Sequence, residues 1–249
     1  MRKLLFALMP VLLLSIYSCE KDNNDPPPPS NPSGPTPFTP PTPSSAKGAF
    51  VGIKMQYTMT NDQIPIPVSI ESEIAVASVG GSSGNVDAGT VEVNGVALDK
   101  NPNNSYVKMG TLIDSVDLDL GNSIEWSVSG AGSVAGFTYN HTDAFPSYTD
   151  SLPSNITRAN GLSLNLSSAS NADSVYVFVA AGDKYVLKSY AGNATNITIA
   201  ASDLNTLPAV SNNTAFLQVL PVKFRVANVG GEDYVFIKQR AIVRAINIE

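Results

Sequence analysis

From Ala49 onward, apolar and polar residues alternate in short runs that are broken by Asn, Gly, Ser and Asp. A period of two is what a strand with one buried face produces, because successive side chains point to opposite sides of a sheet. Few segments show a helical period. In the first half the pattern predicts strands over Ala49–Thr58, Val68–Val79, Thr90–Leu98, Ser105–Met109, Ser115–Leu120, Ser123–Val128 and Gly136–Tyr139. The stretch ending at Leu120 shows the logic: Val116, Leu118 and Leu120 share one side, while Ser115, Asp117 and Asp119 share the other. The pattern breaks at Phe145-Pro146 and again at Leu152-Pro153-Ser154. A second series then follows over Gly161–Ser167, Ser174–Ala180, Lys184–Tyr190, Asn196–Ala200, Ala215–Leu220, Val222–Asn228 and Tyr234–Ile248. Ser202-Asp203-Leu204 is expected to form one helical turn, and Gly230-Gly231-Glu232 to close the last hairpin. About seven strands per half, with turns every eight to twelve residues, suit a sandwich. The expected fold class is therefore all-β: tandem antiparallel β-sandwiches of immunoglobulin or fibronectin type III kind, over residues 48–150 and 151–249.

The residues before 48 follow other rules. Met1-Arg2-Lys3 precedes an apolar run from Leu4 to Tyr17 that Pro10 interrupts. The run is too short to cross a bilayer core of about 30 Å as a helix, and it reads as a signal peptide over residues 1–18. It ends in Ile16-Tyr17-Ser18-Cys19, which resembles the lipobox of bacterial lipoproteins. That resemblance implies cleavage between Ser18 and Cys19 and acylation (palmitate or similar) of Cys19, the one cysteine of the chain. Residues 19–47 hold Pro26 to Pro29 and Pro32, Pro35, Pro37, Pro40, Pro41 and Pro43. Proline at this density removes backbone donors and fixes φ, so a disordered or extended linker is expected. At about 3.1 Å per residue, some twenty residues would hold the body roughly 60 to 70 Å from a membrane. Lys21-Asp22 resembles the surface-export signal of lipoproteins from the Bacteroidota, which implies the cell-surface leaflet of the outer membrane, with its periplasmic face as the alternative.

Composition narrows the partners. The chain is 43% hydrophobic and 14% charged, with a formal charge of −6. Loss of Arg2 and Lys3 with the signal peptide takes the 15 basic residues to 13 against 21 acidic, a charge of −8. Nucleic acid is excluded, because phosphate binding needs clustered Lys and Arg. With a lone cysteine, no disulfide can form within the chain, and packing must supply the stability. The Val91-Glu92-Val93-Asn94-Gly95, Trp126-Ser127-Val128-Ser129-Gly130, Ala172-Asp173-Ser174-Val175-Tyr176-Val177 and Tyr234-Val235-Phe236-Ile237-Lys238 segments resemble those of a group of outer-membrane and surface lipoproteins of the Bacteroidota with tandem Ig-like sandwiches. These are packing and turn motifs, and they imply a fold without an activity.

Chemistry is sparse. A Ser-His-Asp triad would have to use His141, the one histidine, whose nearest acid is Asp143; a loop histidine facing solvent is the simpler expectation. Glycoside hydrolysis needs only two carboxylates roughly 5 to 10 Å apart, and Asp117 with Asp119, or Glu71 with Glu73, have suitable spacing. Both pairs read more simply as the wet side of a half-buried sheet. No cofactor or metal site is expected. Phe137, Tyr139, His141, Phe145 and Tyr148 crowd the junction between the halves, either as a contact surface for a cell-surface protein or glycan or as glue between two sandwiches. Trp126 is expected in the core. Ser115, Ser151 and Ser174 each follow Asp and precede an apolar residue, which resembles the motif for O-glycosylation of exported Bacteroidota proteins. The functional expectation is a cell-envelope lipoprotein acting as a non-enzymatic binding, adhesion or assembly module. The alternatives are a glycan-binding accessory of an outer-membrane nutrient uptake system and, more remotely, a glycoside hydrolase.

Overall fold

The computed structural model describes residues 46–61, 64–81, 84–110 and 117–249. The signal peptide, Cys19, nearly all of the proline-rich linker and Ser115 lie outside these residues. The fold is all-β. The first half contributes β1 (Gly48–Asn61), β2 (Ile64–Gly81), β3 (Gly84–Asn85), β4 (Val91–Val93), β5 (Val96–Ala97), β6 (Asp99–Lys100), β7 (Ser105–Met109), β8 (Ile124–Val128) and β9 (Phe137–His141). The second contributes β10 (Asn155–Ile156), β11 (Leu162–Asn165), β12 (Ser174–Ala181), β13 (Lys184–Ala191), β14 (Asn196–Ile199), the single helical turn α1 (Ala201–Leu204), β15 (Val210–Val229) and β16 (Glu232–Ile248).

One ten-stranded sheet dominates, in the order β13-β12-β15-β16-β1-β2-β7-β6, with β10 and β3 as short additions. Its neighbours are antiparallel except at β1 and β16, which run parallel from Ala49↔Val235 to Thr58↔Arg244, and at the short β10–β16 pairing. The first and last long strands of the described residues thus lie side by side at the centre. The sheet takes strands from both sides of residue 150, so the two halves share one set of ladders. Two smaller sheets, β5-β4-β8-β9 and β11-β14, complete the fold.

Most strands fall where the alternation places them, and the departures have local causes. Thr90–Leu98 is a hairpin rather than one strand, because Asn94 (φ 47°) and Gly95 (φ 78°) adopt the left-handed pair that a tight two-residue turn requires. Residues 117–120 keep Leu118 and Leu120 buried without being a strand. Their amides are taken by the Glu73 carboxylate, which accepts from Leu118 N–H at 2.9 Å and Leu120 N–H at 3.3 Å. Pro221 does not split the second half's long strand. The ladder from β15 to β16 simply omits Leu220 and Pro221 and resumes at Val222↔Gln239, so the missing N–H costs little.

The two faces of the main sheet differ sharply. Along β16 the even positions read Tyr234, Phe236, Lys238, Arg240, Ile242, Arg244, Ile246 and Ile248. The small four-stranded sheet packs on this face at the Tyr234–Phe236 end, over Phe50, Ala75, Ala77 and Tyr106, with Trp126 wholly buried between the layers. The β11-β14 pair, α1 and the segment around Leu152 cover the other end, over Val177, Leu217, Val219 and Ile246. Gly52 allows the first of these contacts: an added Cβ would stand 3.1 Å from Ile124 Cδ1. On the opposite face, Val51, Ile53, Met55 and Tyr57 of β1 adjoin Ile237, Gln239, Ala241 and Val243 of β16, positions without a charge. Val51, Ile53, Met55, Tyr57, Ala241 and Val243 belong to a third apolar cluster, whose members all come from the main sheet itself. Among the described residues, the large apolar side chains that remain exposed, Val68, Met109, Tyr185 and Val226, stand on this same face by register.

Candidate functional site

The aromatic segment expected at the junction is placed as packing. Phe137 lies 4.8 Å from the Tyr234 ring and 5.6 Å from Phe50. Tyr139 stacks on Phe236 at 3.9 Å. These rings hold β9 onto the main sheet, joining two layers rather than two sandwiches. Tyr148 is buried in the core at the far end, where its hydroxyl donates to the Asn165 carbonyl at 3.0 Å. Burial pushes that phenol up to about 12. Phe145 stands between the two ends, half-buried, with the Lys54 and Lys238 ammonium groups 5.6 and 6.0 Å from its ring centre.

His141 faces inward rather than outward and is 1% exposed. It ends β9 opposite Ile124, so the pairing turns it under the sheet. Its Nε2 lies 3.2 Å from Asp143 Oδ2, and Asp143 in turn accepts from Arg225 Nε at 3.0 Å and Nη2 at 2.6 Å. The Arg225 hydrogen bond foremost holds the Asp143 carboxyl below the usual range. Burial, reinforced by the charge of Lys238, lowers His141 to about 4 against the pull of Asp143. A neutral ring donating from Nε2 leaves Nδ1 as an acceptor, and Nδ1 has no hydrogen-bond partner among the described residues. A serine nucleophile would have to sit at that nitrogen, and none of the described residues places one there.

The titration of His141 has a definite consequence. The unfolded imidazole takes up its proton near pH 6.5, whereas the folded one resists until about 4. The unfolded state binds more protons across that window, so stability is complete above pH 6.5 and is lost as pH falls toward 4, by about 3 kcal/mol at most. Urea unfolding at pH 7 and pH 4.5 is expected to show this loss, and His141→Gln is expected to remove most of it. An equal loss in the variant would assign the effect to carboxylates instead.

Lys238, on the same face of β16, is fully buried. Its Nζ donates to the carbonyls of Asp143 at 2.6 Å, Asn122 at 2.7 Å and Gly121 at 3.4 Å. Burial lowers this amine to about 8, so at neutral pH it keeps the proton it needs to donate three times.

Between the two covered ends runs a groove of about 660 Å³. Register sets its floor in three rows, Lys54 and Arg240, Gln56 and Ile242, and Ser69, Thr58 and Arg244, and Glu73 and Glu71 of β2 extend the first two beside it. Phe145 to Leu152 forms its wall, anchored by the Ser147–Ser170 bridge. Lys54 pairs with Glu73 at 3.2 Å, and Arg240 Nη2 reaches both Gln56 Oε1 and Glu71 Oε1 at 3.1 Å. Thr58 and Ser69 share a hydroxyl hydrogen bond of 3.0 Å. Arg244 Nη1 donates to the Leu152 carbonyl at 2.6 Å, while Arg244 Nε and Asp150 Oδ2, both buried, have no partner among the described residues. Glu71 and Glu73 therefore do share one face, but each is committed to a cation. Asp117 accepts from the Asp119 amide at 2.9 Å in an irregular segment, so those two acids share no strand face. Ser151 is exposed at the groove wall, whereas Ser174 opens β12 and is fully buried between Ala191 and Val222.

In the sequence the floor is signalled by polar residues on one side of apolar strands: Lys54, Gln56 and Thr58 in β1, and Arg240 and Arg244 in β16. What the alternation lacked was the parallel pairing that sets these rows beside each other.

Fold and groove together define an all-β protein built on one dominant sheet, covered at both ends of one face, with a polar groove between the covers. Comparison with protein-family models, with curated proteins and with solved structures found no match. Among the described residues no helix is long and apolar enough to cross a membrane.

Proposed function

We propose that the chain is a cell-envelope lipoprotein, acylated at Cys19 and displayed at the outer membrane surface, whose β-body acts as a non-enzymatic binding, adhesion or assembly module. The observation that carries the anchoring is the position of the one cysteine, directly after an apolar run that ends in Ile16-Tyr17-Ser18. Acyl chains contribute about 0.8 kcal/mol per buried methylene, so two or three of them hold firmly where one does not. The groove supports the binding role. It is concave and polar, and its Lys54 and Arg240 are paired with Glu73 and Glu71.

Cys19→Ser is expected to move the protein from the membrane pellet to the soluble fraction, or to leave it unprocessed. An unchanged pellet fraction would refute the anchor. Protease shaving of intact cells should remove the body while leaving periplasmic controls whole; protection would place it on the inner face.

A further inference from the structure

Resting on the reading of this chain as a binding module, we propose that the groove between the β1–β16 floor and the Phe145–Leu152 wall is a carbohydrate site, taking a short run of neutral sugar rings. Its volume, about 660 Å³, lies in the range of small-ligand sites. Two of the three cations that line the groove are already paired, which selects against an anion at those two. Lys54 and Arg240 each carry a carboxylate beside them, at 3.2 and 3.1 Å, so a phosphate, sulfate or uronate approaching either cation would meet Glu73 or Glu71 as well.

The backbone selects against a peptide. Extended peptides gain most of their affinity by adding a strand to an open sheet edge. Two of the three floor strands offer none, since β1 is paired on both sides, with β2 and β16, and β16 with β1 and β15; among the described residues β2 is paired on its far side only from Ile74 onward.

What the floor does offer is a lattice of hydroxyl, amide and guanidinium groups, about 6.7 Å apart along each strand and about 4.8 Å apart between strands. A ring bearing hydroxyls around its rim matches such a lattice, because each hydroxyl can both donate and accept. Phe145 and Ile242 supply apolar surface for the C–H face of a ring.

Affinity electrophoresis of the acylated full-length protein in mild detergent tests this, with soluble starch, mannan, xylan and a mixed-linkage β-glucan each cast in a native gel, and alginate as the anionic control. At least one neutral polysaccharide is expected to retard the protein, and alginate is not. Gln56→Ala with Thr58→Ala should weaken the retardation about tenfold by deleting floor hydrogen bonds. Ser147→Trp, which fills the groove from the wall, should abolish it, with the urea unfolding midpoint showing that each variant folds. Retardation by alginate alone, by no polysaccharide, or unchanged in folded variants would overturn the proposal. Crosslinking in living cells separates the two claims. A silent gel with a specific captured neighbour removes the sugar site and leaves the binding-module reading standing, whereas a silent gel with no neighbour removes both.

Discussion

Phe236→Ala is expected to lower the unfolding free energy by about 3–5 kcal/mol, the usual cost of emptying a large aromatic site in a packed core. Phe236 is fully buried where the small sheet meets the main one. It stacks on Phe50 at 5.2 Å and on Tyr139 at 3.9 Å, and Phe50 in turn meets Trp126, Phe137 and Tyr234 edge-on at 5.3 to 5.8 Å. Removing the ring leaves a void that β8 and β9 cannot close without abandoning their own ladder, so the loss includes cavity and transfer terms. A domain with about 5–15 kcal/mol to spend loses a large fraction of it. Chemical denaturation should show a lowered midpoint with an unchanged slope. A loss under about 1 kcal/mol would mean that this aromatic cluster is not what joins the two layers.

The second large effect is expected at Lys238. Lys238→Met keeps the length of the stem but removes a donor that serves three carbonyls at once, two of them at 2.6 and 2.7 Å. Each carbonyl left without a partner costs about 1–3 kcal/mol if water cannot reach it, against which the removal of a buried charge gives some return. A net destabilisation of about 2–4 kcal/mol follows. Its distribution is more diagnostic than its size. The carbonyls belong to Gly121, Asn122 and Asp143, in the two loops that flank β8 and β9. Hydrogen exchange should therefore speed up in residues 119–125 and 141–145 and stay slow in β12 and β13. Uniform acceleration, or a variant more stable than the parent, would show that Lys238 is not the tie between these loops and the sheet.

Much of the fold was legible because one-sided burial leaves a period of two in the chain. Ser105–Met109 is a strand over those very residues, Ser174–Ala180 and Lys184–Tyr190 are each longer by one, and α1 and the Gly230-Gly231 turn stand where expected. Errors arose where a backbone group found a partner outside its own ladder. Glu73 draws residues 117–120 out of strand geometry from 45 positions away. His141 sits in a stretch that reads as loop, yet it is the last residue of a strand and lies under the sheet. The groove was half visible: its polar side chains broke the apolar pattern of β1 and β16, and Phe145 and Tyr148 of its wall stood out as contact candidates, but the rest of the wall read as an interruption.

The amino-acid order by itself determined the all-β class, the places of the turns and which side of most strands would be buried, because these depend on φ/ψ preferences and on neighbours within a few residues. It could not say that Gly48–Asn61 would lie parallel to Glu232–Ile248, that one sheet would run through both halves, or that Lys54 would stand beside Arg240. Pairing of that kind joins residues nearly two hundred positions apart. It is chosen by which apolar faces can be covered together, a property of the assembled layers that no local stretch of the chain contains.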